Sequence, residues 1–255
     1  MSRWVIKGLK TGVVTTHYPR KMEDAPGISP GLPRATRPDE DTDAAVVSAC
    51  PTAALRQTDG RVMVERGRCV HCFRCVRNVE KPMPWEEGFE WAAMRDDAAR
   101  VPKAFQRSVH IRVIDAGDCG ACLNEIKLLN SPYYNMHRLG FFITPTPRKA
   151  DILLAVGPVT DHMKVALQKT YDAMPTPKRV MAIGACAVSG GVFGPGFVTG
   201  TGISDILPVD VTIPGCPPPP LAILHGLLAL AGRKDAARVL SEIRGHGSHA
   251  ENAGP

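Results

Sequence analysis

The second half of the chain alternates short apolar segments with longer amphipathic or apolar ones. Five of the short segments have the length and composition of buried strands, at residues 110–115, 139–143, 150–156, 179–183 and 209–213. Helices are predicted between them at 161–171 and after them at 221–231, where four prolines precede the helix. Apolar strands that alternate with helices indicate a parallel sheet with both faces covered. We therefore predict an α/β fold with an open parallel sheet over residues 110–232.

The first half of the chain shows no such regularity. Residues 1–18 fit a short amphipathic helix, with Trp4 and Leu9 among its apolar positions and Lys7 and Lys10 among its charged ones. Its apolar face fits either a partner or this chain's own core, because amphipathicity does not specify what covers that face. Residues 20–43 contain several prolines and are predicted to form a loop. A short helix at 44–49 and a strand at 61–65 follow.

These patterns divide the chain into five parts. An N-terminal arm covers residues 1–43, a small α+β segment 44–80, a connecting arm 81–109, the α/β domain 110–232, and a C-terminal helix with a flexible tail 233–255. The connecting arm carries four aromatic residues among many charges, which we expect to fix it on a neighbouring surface: Trp85, Phe89, Trp91 and Phe105.

Composition and length limit the classes of protein to which the chain can belong. With 255 residues, 44% of them apolar, it can build one large or two modest cores. The longest apolar run, 221–231, is well short of the roughly 20 residues that span a membrane. The N-terminal sequence has no feature of an export signal, so we expect a cytoplasmic protein with reduced thiols.

The eight cysteines separate by spacing into two sets of four. The first set combines a cysteine before a proline with a Cys-x2-Cys-x2-Cys triad: Cys50, Cys69, Cys72 and Cys75. The second set combines a Cys-x2-Cys pair with two distant single cysteines: Cys119, Cys122, Cys186 and Cys216. Both spacings are typical of proteins that bind iron–sulfur clusters. No cysteine remains for a disulfide or a nucleophile.

The first set resembles half of a two-cluster bacterial ferredoxin, over residues 44–80. In that family a triad holds three corners of one 4Fe-4S cluster, and a cysteine before proline from the other half completes it. The resemblance implies one cluster on all four cysteines, because no triad precedes Cys50 and no fourth cysteine follows Cys75. A zinc site is the alternative, although zinc modules favour paired Cys-x2-Cys hairpins. We expect His71, inside the triad, to tune the cluster from outside or to be exposed, not to bind it.

The second set falls where a parallel sheet makes a site. Its cysteines follow the predicted strands that end at Asp115, Ile183 and Ile213. The carboxyl ends of parallel strands share one edge, where open α/β sheets bind ligands, so four thiolates distant in sequence are predicted to converge there. Glycines at 117, 120, 184 and 215 leave room for the backbone to approach a cluster.

Two 4Fe-4S clusters would lower the net charge of the chain. The formal charge of +6 by itself favours a nucleic-acid partner. Two oxidised 4Fe-4S clusters with their thiolates would each add about −2, which leaves about +2. We therefore expect no nucleic-acid partner.

Residues 110–231 resemble the small, proximal-cluster subunit shared by nickel-iron hydrogenases and the complex I superfamily. Four motifs carry the resemblance: Cys119-Gly-Ala-Cys-Leu-Asn-Glu125, Thr146-Pro-Arg-Lys-Ala-Asp151, Gly184-Ala-Cys186-Ala-Val-Ser-Gly-Gly191 and Val209-Asp-Val-Thr-Ile-Pro-Gly-Cys216-Pro-Pro. The Cys-x2-Cys spacing of this pair resembles that of hydrogenase small subunits, whereas complex I subunits carry two adjacent cysteines at this site. The resemblance implies a flavodoxin-like fold, a 4Fe-4S cluster on the second set, and likeness to energy-converting, formate hydrogenlyase-type complexes. Cys-Gly-Ala-Cys in place of Cys-Asn-Gly-Cys, and the fused ferredoxin-like segment, depart from the family pattern.

These resemblances imply an electron-transfer subunit of a membrane-associated oxidoreductase complex, on the inner face of the cell membrane. Electrons would pass through two 4Fe-4S clusters between a ferredoxin-type donor and a nickel-iron large subunit that carries the catalytic centre. Other electron-transfer subunits and membrane subunits are further expected partners. One alternative is a complex I-like subunit that serves a quinone or another acceptor with a nickel-free partner, and another is a zinc-stabilised binding module. Glu125 occupies an acidic motif position, which fits either proton transfer at the large-subunit interface or a carboxylate at a helix N-terminus.

Overall fold

The computed structural model describes residues 2–23, 29–37, 45–77, 79–99, 102–106 and 108–239. Its helices there are α1 (Arg3–Thr11), α2 (Ala45–Ser48), α3 (Ala121–Leu128), α4 (Asp161–Asp172), α5 (Ala185–Ser189) and α6 (Pro220–Leu230). Its strands are β1 (Leu32–Pro33), β2 (Leu55–Thr58), β3 (Arg61–Val64), β4 (Trp85–Glu86), β5 (Ala93–Arg95), β6 (Val109–Asp115), β7 (Phe141–Ile143), β8 (Ile152–Val156), β9 (Arg179–Ile183), β10 (Val211–Ile213) and β11 (Ala237–Val239). None of the helices in these ranges has the length and apolarity needed to span a bilayer.

Seven strands form the main sheet, in the spatial order β11-β5-β10-β9-β8-β6-β7. The five strands from β6 to β10 pair in parallel throughout. Numbered along the chain, these five lie in the order 2-1-3-4-5, which is the strand order of the flavodoxin-like fold. The predicted fold class is therefore confirmed.

Both faces of the central strand β8 are buried, and the period of two in side-chain direction assigns each residue to a face. In β8, Ile152, Leu154 and Val156 pack into one hydrophobic cluster. Leu153 and Ala155 pack into the other. Helices α3 and α6 cover the first face, while α4 and α5 cover the second. A strand buried on both sides needs a continuous apolar run, which is why β8 was predictable from its sequence.

Helix α6 is buried along its whole length. It packs directly on the sheet, since a Cβ on Gly226 would lie 2.5 Å from Ile213 Cδ1. The one polar side chain of the helix, His225, is fully paired. Its Nδ1 accepts the Ala92 N–H at 3.3 Å, and its Nε2 lies 2.8 Å from the Asp235 carbonyl oxygen. Burial lowers the pKa of His225, so the imidazole is neutral in this core.

Two strands of the main sheet lie in segments where the sequence predicted none. Strand β5, within the connecting arm 81–109, pairs antiparallel with β10. Strand β11 pairs with β5, so Ala237–Val239 is extended where a C-terminal helix was expected over 233–255. Residues from 240 onward, including the predicted tail, lie outside the described part. The unpaired edge of β10 supplies hydrogen-bond partners to β5, and β5 in turn to β11.

The N-terminal segment also differs from its prediction. The helix expected over residues 1–18 ends at Thr11, because Gly12 has a φ of 67° and closes α1 by donating its N–H to the Gly8 carbonyl. Further along, the segment carrying the first cysteine set contains α2 and the β2–β3 hairpin. A two-residue turn, Asp59–Gly60, closes this hairpin with positive φ at both positions. Its small core consists of Val46, Leu55, Val62 and Met83.

Candidate metal centres

The second cysteine set lies at one edge of the sheet. The last residues of four parallel strands are aligned in register, Asp115 with Val156, Val156 with Ile183, and Ile183 with Ile213. Cysteines follow three of these ends, with Cys119 four residues after β6 and Cys186 and Cys216 three residues after β9 and β10. The sequence predicted this convergence because these strand ends were recognisable from their apolar runs.

The four thiols of this set interact electrostatically with one another. Burial raises the pKa of Cys122, and the neighbouring carboxylate of Asp118 and the other three thiols raise it further. Burial also raises the pKa of Cys186 to about 11, again with contributions from Cys216 and Cys119. Four thiolates this close repel one another in the absence of a cation, and metal binding is what releases their protons.

Glycines beside the second set make room for the sulfur atoms. A Cβ on Gly184 would lie 2.5 Å from Cys122 Sγ, and a Cβ on Gly191 would lie 2.7 Å from Cys186 Sγ. Both glycines have positive φ, 90° and 59°. The backbone of two site loops is also tied together, because the Ala185 N–H donates to the Gly215 carbonyl at 2.8 Å. The loops therefore form a cradle shaped around thiol sulfur.

Asp118 is a site residue that the sequence analysis missed. Its carboxylate accepts the Gly120 N–H at 2.9 Å and the Leu123 N–H at 3.2 Å. Gly120 is the N-cap residue of α3, so Asp118 pairs the start of the helix from outside it. The same carboxylate raises the pKa of Cys122. A signal was present in the sequence, because an aspartate just before a helix typically accepts backbone N–H groups at its start.

The first cysteine set is also brought together. Burial raises the pKa of Cys69 to about 11, and the thiols of Cys75, Cys50 and Cys72 raise it as well. The pKa of Cys75 is likewise raised to about 11, chiefly by burial and then by Cys72. Cys50 Sγ accepts the Ala54 N–H at 3.3 Å, which ties this cysteine to the turn that follows it.

The two sets share a pattern of exposure. Each contains one buried cysteine, Cys69 or Cys122, and one exposed cysteine, Cys72 or Cys119. The remaining four are partly buried, and all eight are free thiols. The buried members belong to the same hydrophobic cluster, so each set has one side in the common core and one side at the surface.

His71 lies against two tryptophan rings inside the first set. Its ring centroid is 6.4 Å from that of Trp85 and 6.1 Å from that of Trp91, both edge to face. Burial lowers its pKa to about 4, and its buried Nε2 makes no hydrogen bond to a described residue. The imidazole is therefore neutral and packed among aromatic rings.

The two sets touch through their loops. The Ser189 hydroxyl, three residues after Cys186, donates to the Gly67 carbonyl at 2.9 Å, two residues before Cys69. A Cβ on Gly67 would lie 2.9 Å from Val188 Cγ1. A second bridge runs from His71 to Trp91, whose indole N–H donates to the Pro214 carbonyl at 3.0 Å, two residues before Cys216. Neither bridge was predicted from the sequence.

The type and number of donor atoms in each cysteine set fit a 4Fe-4S cluster better than they fit a single metal ion. In the described residues no three His, Cys, Asp or Glu side chains converge tightly enough to hold a single metal ion. A 4Fe-4S cluster makes a different demand, because it is held by four Cys thiolates rather than by donors gathered at one point. Each set offers four thiols, and the second offers sulfur-shaped glycine gaps as well.

Glu125 is the fifth residue of α3, on the helix that begins at the Cys119–Cys122 pair. The interpretation as a carboxylate at a helix N-terminus is wrong, since the first turn of α3 contains no acidic residue and the carboxylate at its start is that of Asp118. Glu125 is partly buried, and burial raises its pKa. Its carboxyl is therefore easier to protonate than a free glutamate.

The chain combines a flavodoxin-like sheet with two sets of four thiols. One set lies at the strand ends, and the other lies in the segment that packs beside the sheet. Residues 119–230 match the family described as NADH ubiquinone oxidoreductase, 20 Kd subunit. The chain is 41% identical over 145 residues to a probable membrane-bound hydrogenase subunit of Pyrococcus furiosus, covering 57% of this chain and 86% of that protein. The chain belongs to this family.

Two further relatives come from different complexes. Formate hydrogenlyase subunit 7 of Escherichia coli is 37% identical over 173 residues, covering 67% of this chain and 66% of that protein. An NADH-quinone oxidoreductase subunit of Bacteroides thetaiotaomicron is 44% identical over 110 residues, covering 43% of this chain and 56% of that protein. The chain is thus similar to subunits of both hydrogenases and NADH-quinone oxidoreductases.

Proposed function

We propose that this chain is an iron–sulfur electron-transfer subunit of a hydrogenase-type, membrane-associated oxidoreductase complex. Two 4Fe-4S clusters are held by its own cysteines. The first is held by Cys50, Cys69, Cys72 and Cys75, and the second by Cys119, Cys122, Cys186 and Cys216. When bound, such clusters accept and release single electrons at potentials set by charge, hydrogen bonds and exposure.

The observation that carries the proposal is the contact between the two cysteine sets. The Ser189–Gly67 hydrogen bond and the His71–Trp91–Pro214 bridge join the two ligand-bearing loops through a few residues. Two independent metal sites would not require such a junction. Electron transfer between two centres does require it, because the centres must be close together and fixed.

The exposure pattern gives the relay two ends. Cys72 and Cys119 are exposed, whereas Cys69 and Cys122 face the common core. Partners can approach the first set on the Cys72 side and the second on the Cys119 side, while the buried sides exclude water between them. A ferredoxin-type donor at Cys72 and a large catalytic subunit at Cys119 fit this arrangement.

Exposed apolar side chains near the second set supply a surface for that large subunit. The loop that follows α5 exposes Val192, Phe193 and Phe197, and Gly191 in the same loop lies against Cys186 Sγ. Exposed apolar side chains that lie close together are typical of interaction sites. Peripheral attachment to the inner face of the cell membrane, together with the other subunits of the complex, belongs to the same proposal.

Iron and acid-labile sulfide analysis of the anaerobically purified chain tests the proposal. We expect about eight iron and eight sulfide per chain, since each 4Fe-4S cluster contributes about four of each. Cys122→Ser and Cys69→Ser should each reduce both values to about four, because each removes a buried ligand of one set only. A colourless protein rich in zinc would overturn the proposal in favour of a zinc-stabilised binding module.

The nickel content of the purified complex separates the hydrogenase-type function from its closest alternative. The match to an NADH-quinone oxidoreductase subunit supports that alternative, a complex I-like relay to a quinone or other acceptor with a nickel-free partner. The Cys119-x2-Cys122 pair supports the hydrogenase type. A large subunit that co-purifies with stoichiometric nickel agrees with the hydrogenase type. A nickel-free large subunit agrees with the complex I-like relay.

A further inference from the structure

Helix α1 projects from the rest of the chain without being covered by it. None of its nine residues is buried, and the side chains of Trp4 and Leu9 are each 75% exposed. The exposed apolar surface continues beyond the helix, since Val13 is 80% exposed and Val14 57%. Isolated helices of this length are marginal in water, so α1 gains from a surface that covers its apolar side.

The base from which α1 projects is fixed. The Thr16 N–H donates to the Tyr133 carbonyl at 2.9 Å, and Tyr18 is fully buried. The Tyr18 hydroxyl donates to Glu90 Oε1 at 2.8 Å, and Lys234 Nζ donates to the same oxygen at 2.7 Å. The segment that includes α1 therefore extends from an ordered anchor on the folded domain.

The two sides of α1 differ in chemistry. With about 3.6 residues per turn, Arg3, Lys7 and Lys10 fall on one side of the helix, with Ile6 at its margin. Val5 and Leu9 fall on the opposite side, and Trp4 lies at the boundary between the two sides. Such a helix, basic on one side and apolar on the other, is typical of segments that lie in the plane of a membrane surface.

The charge of the chain is concentrated in this segment. Residues 1–22 contain five basic side chains, Arg3, Lys7, Lys10, Arg20 and Lys21, and no Asp or Glu. They account for five of the six net positive charges of the chain. Among the described residues no carboxylate pairs with Arg3, Lys7 or Lys10. An occupant that is anionic as well as apolar would match this surface.

We propose that α1 binds the surface of an anionic lipid bilayer, with Trp4, Val5 and Leu9 in the acyl boundary. A bilayer that contains acidic lipids offers an apolar layer and negative headgroups along the whole strip from Trp4 to Val14. Tryptophan is favoured at such interfaces because its ring is apolar and its N–H is polar. An acidic protein groove would have to match the shape of this strip, whereas a lipid surface adapts to it. This inference does not depend on the metal content of either cysteine set.

Vesicle binding by the full chain tests this proposal. The purified protein is co-sedimented with vesicles of phosphatidylcholine alone and with vesicles that also contain phosphatidylglycerol. We expect binding to the anionic vesicles that weakens with added salt and is much weaker for the neutral ones. The double variant Lys7→Gln, Lys10→Gln should lower the partition coefficient about 30-fold. Trp4→Ala should lower it roughly tenfold.

A matched double variant controls for net charge. Lys103→Gln, Lys169→Gln removes the same two charges from exposed positions on other elements and should bind as the wild type does. All these side chains are exposed, and an unchanged midpoint of thermal unfolding reports that the variants fold. Equal losses in the two double variants, or wild-type binding that ignores anionic lipid, would overturn the proposal. So would a chain that ignores vesicles but loses a partner subunit when α1 is altered, because the occupant would then be an acidic protein surface.

Discussion

At the residue scale, the aspartate beside the second cysteine set shows how one side chain can serve structure and electrostatics together. Asp118 accepts two backbone N–H groups at the start of α3 and raises the pKa of Cys122. Its negative charge next to four thiols disfavours a further electron there, so it acts on the potential of any cluster at this site. One carboxylate thus orders the start of a helix and lies beside a candidate metal centre.

Glu125 yields a prediction in which function and stability oppose each other. Burial raises the folded-state pKa of Glu125 above its unfolded value. The protonated form is therefore favoured by folding, and that stabilisation is present at low pH and lost as the pH rises through the folded pKa. Glu125→Gln removes the cost of the buried charge, so the variant should be more stable than the wild type at neutral pH. The difference should vanish below about pH 4.

Thermal unfolding between acid and neutral pH measures this difference, and Glu87→Gln, at an exposed position, is the control that should show none. If Glu125 also moves protons, the same variant should slow proton-linked turnover in the assembled complex while both cysteine sets keep their iron. Unchanged turnover in a more stable variant would remove the proton-transfer role. A less stable variant would show that Glu125 makes a contact worth more than its desolvation.

At the element scale, the second cysteine set depends on close approach between a loop and a helix. Gly184 follows β9 with a φ of 90°, and Cys122 Sγ occupies the space where its Cβ would stand, at 2.5 Å. Gly184→Ala should therefore displace Cys122 and cost the second set its iron, leaving about four iron per chain on the first. Iron analysis and electron paramagnetic resonance of the reduced protein measure the loss.

Gly120→Ala controls for an alanine at positive φ beside the same cysteine set. Gly120 has a similar φ of 93°, with a ψ of −15° against 154° at Gly184, and a Cβ there would meet nothing within 4 Å. It should keep about eight iron per chain. Equal losses in the two variants would show that backbone strain, and not the approach of Cys122, decides cluster retention.

The elements also show what a single sequence can and cannot predict. Strands β8 and β9 are apolar runs, and β6 alternates apolar residues with His110 and Arg112. The positions of their ends in the sequence are enough to predict that Cys119 and Cys186 lie at one edge. Strand β5 has three residues, Ala93–Arg95, and its pairing with β10 joins residues more than a hundred positions apart. Such a strand has no periodicity of its own, because its partner determines its conformation.

The same reasoning applies to the sites. Spacing grouped the eight cysteines, because ligand patterns are local or follow strand ends. The bridges through Ser189 and Trp91 connect segments far apart in the chain, and neither residue stands in a recognisable motif. Contacts of this kind follow from how the first cysteine segment packs on the sheet, which local sequence does not specify.

At the scale of the whole molecule, the fused ferredoxin-like segment makes the junction between the two cysteine sets an internal contact. A separate subunit would have to bind there from solution and lose its own freedom of motion. Within one chain the two sets stay at a constant separation. The junction therefore determines how strongly the two centres interact, and a change there should be visible without any catalytic partner.

Trp91→Phe tests this. The variant keeps a ring against His71 but loses the indole N–H that holds the Pro214 carbonyl near Cys216. We expect a loss of more than about 1 kcal/mol in the free energy of unfolding, because the cavity left by the smaller ring adds to the usual net value of one hydrogen bond. Iron content should stay unchanged, while the magnetic interaction between the two reduced clusters in electron paramagnetic resonance spectra should weaken as the junction loosens.

Trp85→Phe makes the same chemical change on the other side of His71, where the lost hydrogen bond goes to the Pro30 carbonyl and not to a cysteine loop. It should destabilise the chain less, because Trp85 and its hydrogen bond are less buried, and it should leave the magnetic interaction as it is in the wild type. If both variants weaken the interaction equally, general loosening of the aromatic cluster is responsible. If neither does, the Ser189–Gly67 hydrogen bond and the packing of α5 on the residues before Cys69 are sufficient to hold the two sets in place, and Trp91 has no part in the relay.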